Sequence, residues 1–337
     1  MQNLRQLRRS LWNSLLRQQL KLLSQRPRLN KPNVKMIKKQ AYKVAGHVFI
    51  LEMDACSAIW EKSKESYSPF EISASSDDEV LFTIRLHDRC DKLQTMELVY
   101  SNAQDVEPGY VLHDIYRGPE GHYFEFTQPG SDCVNGKLRI SDNLKTAEMS
   151  LHGTGIEQWL TFTVCMNFCF LLASSSQMTL FFHASCVKYK GKAYLFLGKS
   201  GTGKSTHSRM WQEALDDVLL MNDDHPVLRI GEDGTVTAYG SPWSGKTRCY
   251  KSVSAPVGGV IRISRAPYNK ARRLSMVEAY ASIMTSCSGI TWERKMADDR
   301  DRTMQGIIGR VPCWVMECLP DNEAARVCSA AVVEECR

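Results

Sequence analysis

The residues with the clearest chemical pattern form a glycine-rich segment, GKSGTGKS at positions 198–205, which follows a predicted strand and opens a predicted helix. Its glycines let successive backbone N–H groups turn inward around a polyphosphate, and the helix start adds the positive end of its dipole. In such a loop the lysine reaches the β- and γ-phosphates and the hydroxyl that follows ligates magnesium. We therefore predict a site for ATP and Mg²⁺ formed by Gly198, Lys199, Ser200, Gly201, Thr202, Gly203, Lys204, Ser205 and Thr206.

Two adjacent acids, Asp223 and Asp224, end an apolar strand predicted in LLMNDDHPVLRI. Neighbouring residues of a strand point to opposite sides, so the two carboxylates can have different roles. One would face magnesium, and the other would accept the proton of an attacking hydroxyl. The alternative interpretation of this segment is an exposed turn without chemistry.

A histidine, His183, stands fifteen residues before Gly198 on a predicted strand. We expect this strand to form a hairpin with the strand that leads into the glycine-rich segment, with the turn at Lys190 and Gly191. Such a histidine is either a structural hydrogen-bonding residue or a catalytic one, and its spacing alone leaves both open.

The segment SPWSGKTR at positions 241–248 carries two cations, Lys246 and Arg248, close to Trp243. A tryptophan flanked by proline, serine and glycine is not typical of a core. Cations at such a place would meet a substrate anion or a migrating phosphoryl group. We predict a substrate-facing loop in which Lys246 stabilises developing charge, the alternative being an ordinary surface turn.

Together, the HASCV motif, the hairpin glycine, the glycine-rich segment and the acid pair resemble the catalytic domain of HPr kinase/phosphorylase and its relatives. These relatives include precursor-peptide serine kinases of lasso-peptide pathways and, more distantly, ATP-dependent phosphoenolpyruvate carboxykinase. The resemblance covers roughly residues 180–335. It implies that His183 lies close to the transferred phosphate, that Asp223 is the acid/base beside the acceptor hydroxyl, and that Asp224 and Ser205 hold the metal. The long glycine-rich signature that follows the acid pair in HPr kinase/phosphorylases is missing, so we do not expect phosphorylase activity.

The expected function is therefore ATP- and Mg²⁺-dependent phosphorylation of a hydroxyl, with a serine of a protein or peptide as the expected acceptor. Lys204, His183, Asp223 and Lys246 are the predicted catalytic residues. Two alternatives stay open, namely a small-molecule kinase and an ATP-binding regulatory module without catalysis. The second carboxylate favours a kinase, because a binding module needs a magnesium ligand but no base beside an acceptor.

The elements that must position these residues divide the chain into four parts. Residues 36–150 contain alternating apolar segments bounded by turn residues, which predict a small antiparallel β domain. Residues 151–179 contain a dense apolar run, 156–176, which predicts a buried connecting helix. Residues 180–337 alternate strands with helices at 203–215, 275–287, 294–308 and 321–333, which predicts an α/β P-loop kinase domain of the HPr kinase/phosphoenolpyruvate carboxykinase type.

The remaining part, residues 1–35, holds nine Lys and Arg and no acid, so residues 36–337 together carry a net charge of −3 although the whole chain carries +6. An amphipathic basic helix there would touch nucleic acid or an anionic membrane. We favour a solvated, disordered or non-native extension, because Met36 offers a second start.

The rest of the composition indicates a cytoplasmic protein. The 12 cysteines are scattered without a C-x-x-C pair, which favours reduced thiols in a reducing compartment. The chain lacks an uninterrupted apolar run of membrane-spanning length and the apolar core of a signal peptide. We therefore expect neither membrane nor nucleic-acid partners, and we leave a homo-oligomer open.

Overall fold

The computed structural model describes residues 36–73, 78–104, 110–245 and 247–334. The predicted basic extension at 1–35 and the predicted catalytic residue Lys246 therefore lie outside the described residues. From Met36 onward the chain forms one unit, which contains two mixed β-sheets and six described helices. The prediction of an α/β protein is confirmed.

The first sheet has nine strands in the order β3-β1-β2-β4-β9-β8-β7-β6-β5. The strands are β1 Ile37–Val44, β2 His47–Asp54, β3 Glu71–Ile72, β4 Val80–Leu86, β5 Glu97–Ser101, β6 Leu112–Gly118, β7 Gly121–Thr127, β8 Gly136–Ser141 and β9 Thr146–Leu151. The prediction that this region is purely antiparallel is wrong, because β4 pairs in parallel with both β2 and β9. A helical crossover between β2 and β4 makes the parallel pairing with β2 possible, since parallel neighbours need a long connection.

That crossover contains a helix that the sequence analysis did not predict, α1 (Ala58–Tyr67). The Ser57 hydroxyl accepts a hydrogen bond from the backbone N–H of Trp60 at 3.0 Å and so caps the helix start. Trp60 and Tyr67 point into the core, which holds α1 against the sheet.

The predicted connecting helix is present as α2 (Gly155–Ser174). It begins with a capping box, in which the side chains of Thr154 and Glu157 each accept a hydrogen bond from the other's backbone N–H. Of the described helices, α2 alone is long and apolar enough to cross a membrane, with a mean hydropathy of 1.4. Its inner face, which includes Phe162 and Phe170, is buried in the protein core.

The second sheet has the order β10-β14-β15-β16-β12-β11-β13. In addition, β18 pairs with β16, and β17 pairs with β18. Its strands are β10 Thr179–Phe181, β11 Ala184–Tyr189, β12 Lys192–Leu197, β13 Leu219–Asp224, β14 Val227–Ile230, β15 Val236–Tyr239, β16 Ser254–Arg265, β17 Lys270–Arg273 and β18 Cys313–Cys318. The four predicted helices are confirmed as α3 Lys204–Ala214, α4 Met276–Met284, α5 Arg294–Ile308 and α6 Asn322–Glu334. Strands β12, β16 and β18 are parallel neighbours, so their carboxyl ends share one sheet edge.

The segment around His183 differs from its prediction as a continuous strand. It forms two strands, β10 and β11, and His183 occupies the bend between them. The break arises because the backbone N–H of Phe182 donates to the carbonyl of Pro226 and that of His183 donates to the carbonyl of Ser286 at 2.7 Å. The predicted hairpin between β11 and β12 is confirmed, and its turn residues Lys190 and Gly191 both have positive φ.

All eleven cysteines in the described ranges carry free thiols. Most of them are buried, and burial raises the pKa of thiols such as Cys90, to about 11. The buried thiols act as small apolar core residues.

Candidate functional site

The glycine-rich loop, residues 198–203, connects the end of β12 to the start of α3. A Cβ placed on Gly198 would lie 2.5 Å from the Thr202 hydroxyl, so the loop closes too tightly there for any side chain. Gly201 has a φ of +79°, and a Cβ there would meet no atom within 4 Å. The loop is therefore tight at its base and open at its crest, which leaves room for a phosphate group beside the first turn of α3.

Lys204, the first residue of α3, bends back over this loop. Its ammonium group donates hydrogen bonds to the carbonyl oxygens of Gly198 at 2.9 Å and Lys199 at 3.5 Å. Burial lowers the pKa of Lys204, and the negative charges of Asp224 and Asp223 oppose that shift. Lys204 therefore interacts electrostatically with both acids while its side chain lies over the loop.

An open cleft of about 490 Å³ lies beside the loop, on the side of β16. It is lined by loop residues 199–202 and by residues 262–265 at the carboxyl end of β16. Arg265 closes the cleft at one point by donating a hydrogen bond to the carbonyl of Gly201. Ligands of open α/β sheets bind at this edge, outside the carboxyl ends of the strands.

The acid pair lies at the same edge of the sheet. Strand β11 lies between β12 and β13, and its residue Ala184 pairs with Leu197, at the end of β12, and with Asp224, at the end of β13. The structure thereby brings the end of the acid-bearing strand beside the strand that enters the glycine-rich loop. The alternative interpretation as an exposed turn is wrong, since Asp223 is only 6% exposed.

The two acids have different surroundings. Within the described part of the chain, no residue makes a hydrogen bond or ion pair with the carboxylate of Asp223. The carboxylate of Asp224, in contrast, lies 3.5 Å from Nε2 of His183 and 3.1 Å from Nδ1 of His225. Asp224 is thus flanked by two imidazoles, whereas Asp223, a mostly buried residue, has no such neighbour among the described residues.

The electrostatic surroundings keep Asp224 ionised. Burial acts to raise its pKa, but the hydrogen bond from His225 and the positive charges of His225, His183 and Lys204 lower it below its usual value. The pKa of His183 is lowered too, first by burial and then by the charge of Lys204, against the attraction of Asp224. Burial and the charge of Lys204 thus favour the neutral form of His183, whereas Asp224 favours the protonated form.

Sequence reasoning missed His225. Its ring lies nearly parallel to that of His183, with ring centroids 6.3 Å apart. The available signal was its position directly after the acid pair, because a residue that follows a strand end remains at the same edge of the sheet.

The prediction that Trp243 lines a substrate-facing loop is wrong. Trp243 is 2% exposed, and its ring packs against Phe181 at 5.1 Å and Phe170 at 5.3 Å between centroids. Arg248 forms an ion pair with Glu65 of α1 at 2.6 Å, so its cation is engaged within the chain. Residues 241–243 of this turn-like segment are buried because α1, α2 and β10 supply aromatic partners for Trp243.

Oxygen ligands suited to magnesium are present at the site. Ser205 is exposed on the first turn of α3, next to Thr206, and Asp224 stands at the end of β13. A hydroxyl and a carboxylate are oxygen ligands of the kind that Mg²⁺ prefers. Among the described residues, no group of three or more His, Cys, Asp and Glu side chains has a metal-binding arrangement.

Comparisons with known proteins add no identification. No model of a protein family matches this sequence, and no curated protein matches it either. The functional argument therefore depends on the site itself.

Proposed function

We propose that the chain is a P-loop kinase of the HPr-kinase type, which transfers the γ-phosphoryl group of ATP to a hydroxyl, a serine of a protein or peptide being the expected acceptor. One observation carries the proposal. Lys204, His183 and the acid pair, which are distant in sequence, meet at one edge of the second sheet beside an open glycine loop. A basic group, a phosphate-sized opening and a buried carboxylate are the parts that phosphoryl transfer needs.

Nucleotide binding is assigned to the loop and the start of α3. The backbone N–H groups of the loop and the positive end of the α3 dipole would receive the phosphates, and Lys204 would exchange its carbonyl partners for phosphate oxygens. Ser205 and Asp224 would hold Mg²⁺, which supplies positive charge to the β- and γ-phosphates when bound. Asp224 suits this role because its pKa is lowered and it is therefore ionised.

The transfer step is assigned to Asp223. The acceptor oxygen would form a bond to the γ-phosphorus while the bond between that phosphorus and the leaving oxygen of ADP breaks. The proton of the acceptor hydroxyl would pass to the carboxylate of Asp223. His183, close to Asp224, would donate a hydrogen bond to the transferred group.

The second carboxylate, Asp223, favours a kinase over a regulatory ATP-binding module. A binding module needs a magnesium ligand, the role proposed for Asp224, but no second carboxylate beside an acceptor. The acceptor is proposed from the resemblance of residues 180–335, and a small hydroxyl compound is the other candidate. A cytoplasmic location and a lack of membrane and nucleic-acid partners remain parts of the proposal.

The test is an ADP-release assay with the full chain, ATP and Mg²⁺, in the presence of serine peptides or small alcohols, with intact-mass detection of the products. We expect Mg²⁺-dependent ADP formation and an acceptor that gains one phosphoryl group. Tight ATP binding without turnover with any acceptor would identify a regulatory module. Failure to bind ATP at all would overturn the proposal.

A further inference from the structure

The residue before the acid pair, Asn222, is fully buried on β13, yet it is polar. Its Nδ2 group donates towards the carbonyl of Trp243 at 3.0 Å and towards the carbonyl and hydroxyl oxygens of Ser241 at 3.3 and 3.2 Å. Its Oδ1 accepts a hydrogen bond from the backbone N–H of His225 at 2.8 Å. The amide of Asn222 is therefore hydrogen-bonded at both ends: Nδ2 contacts Ser241 and Trp243, and Oδ1 contacts His225, the residue after the acid pair.

The segment that Asn222 holds, residues 241–245, lies directly against the acids. The backbone N–H of Gly245 donates to the carbonyl of Asp223 at 3.0 Å, and Ser244 forms a β-bridge with Asp224. The hydroxyl of buried Ser241 donates to the carbonyl of His225 at 2.7 Å. The 241–245 segment and the end of β13 are thus joined by hydrogen bonds along their length.

The same segment is held from its other side by the first part of the chain. The ring of Trp243 packs edge-on against Tyr67 of α1 and Phe170 of α2, with centroids 6.3 and 5.3 Å apart. Phe181, which lies two residues before His183, contacts the same ring. The aromatic cluster places the segment, and Asn222 connects it to the acids.

From these contacts we infer that Asn222 is a positioning residue for phosphoryl transfer, which holds the 241–245 segment on β13 and thereby fixes Asp223 and Asp224 relative to Lys204. The inference rests on the proposed function. An apolar residue would fill the space of Asn222, but it would remove the side-chain donor of the buried Ser241 carbonyl and leave the Trp243 carbonyl with only the Ser241 hydroxyl, at 3.0 Å.

The test replaces Asn222 by aspartate. The Asn222→Asp side chain keeps the acceptor for His225 but sets an oxygen against the carbonyls of Ser241 and Trp243. Asn135→Asp is the control, because Asn135 is fully buried just before β8 and its Oδ1 likewise accepts a backbone N–H, that of Gln128 at 2.8 Å, whereas its Nδ2 holds no second segment of the described chain. Ser241→Ala is a milder second variant of the same contacts.

Two measurements separate positioning from general damage. Hydrogen exchange read by mass spectrometry should show amides of residues 241–245 exchanging about tenfold faster in Asn222→Asp and less so in Ser241→Ala, with no change there in Asn135→Asp. The kcat of Mg²⁺-dependent ATP turnover should fall about 10²-fold in Asn222→Asp, because a displacement near 1 Å has that effect, while the Kd for MgATP changes by a much smaller factor, since Lys204 and the glycine-rich loop are retained.

The outcomes are distinguishable. Wild-type turnover in Asn222→Asp, or unchanged exchange in residues 241–245, would overturn the inference even if the chain proves to be a kinase. An equal loss of kcat in Asn135→Asp would also overturn it, because the effect would then be general. If the wild-type chain does not turn over ATP, the proposed function fails, and with it the catalytic part of this inference.

Discussion

Replacing Trp243 by alanine tests whether the 241–245 segment is core or substrate surface. The indole is 2% exposed and contacts three aromatic rings, those of Tyr67, Phe170 and Phe181. Removing a buried tryptophan side chain costs about 3–5 kcal/mol in unfolding free energy. For a chain of this size, with an unfolding entropy of about 2.1 cal/mol/K per residue, that loss corresponds to a melting temperature lowered by roughly 4–7 °C.

The measurement is urea and thermal unfolding followed by circular dichroism, with ATP affinity determined on the folded fraction. Trp243→Phe retains a ring in the aromatic cluster, so we expect a smaller loss. Trp159→Ala is the control, because Trp159 lies on α2 but is only partly buried, with Lys62 over its ring. We expect it to cost much less than Trp243→Ala.

One result would refute this reasoning. If Trp243→Ala unfolds like the wild-type chain and instead raises the KM for an acceptor, Trp243 contacts substrate and the burial described above is not that of the working protein. If stability falls as expected but ATP affinity of the folded fraction is kept, the segment acts through its packing.

Three further predictions concern the site and its surroundings. Lys204→Ala should weaken ATP binding about 10–10²-fold in calorimetry, the effect of losing charge-assisted hydrogen bonds, and unchanged affinity would contradict the loop assignment. Asp223→Asn should lower the transfer rate about 10²–10⁴-fold with MgATP binding kept, whereas Asp224→Asn should raise the Mg²⁺ concentration required; equal loss of binding in both would disprove separate roles. Burial lowers the pKa of His207 from 6.5 to about 4, so between these pH values the unfolded chain binds more protons than the folded chain. The free energy of unfolding should therefore fall as the pH drops through that window, by up to about 1.4 kcal/mol per pH unit. His207→Gln should flatten this dependence in urea titrations at several pH values, and an unchanged slope would argue against the assignment.

The helices of the second part of the chain could be predicted from the sequence because their signals are local. The glycine-rich loop between an apolar run and Lys204 determines where β12 ends and α3 begins, since glycine adopts the positive φ that the loop requires. The hairpin turn at Lys190 and Gly191 is equally local. The same loop and the acid pair also indicated which residues could do chemistry.

Pairing in the first sheet could not be predicted in the same way. A parallel neighbour such as β4 beside β2 depends on a crossover through α1, and alternation of apolar residues is the same in parallel and antiparallel strands. The helix α1 itself depends on contacts that Trp60 and Tyr67 make with distant residues. Such contacts leave no mark at the spacing of neighbouring residues.

The candidate site likewise combines features that the sequence predicts with features that depend on the tertiary structure. The sequence alone determined the residue types, which are a lysine behind glycines, two adjacent carboxylates and a histidine before a hairpin. Only the tertiary structure decided that Asp224 lies between two imidazoles, that Asn222 holds the 241–245 segment and that Trp243 is buried. The physical reason is that residue type and backbone propensity act over a few positions, whereas burial, pKa shifts and hydrogen-bond partners arise from elements that are remote in sequence and adjacent in space.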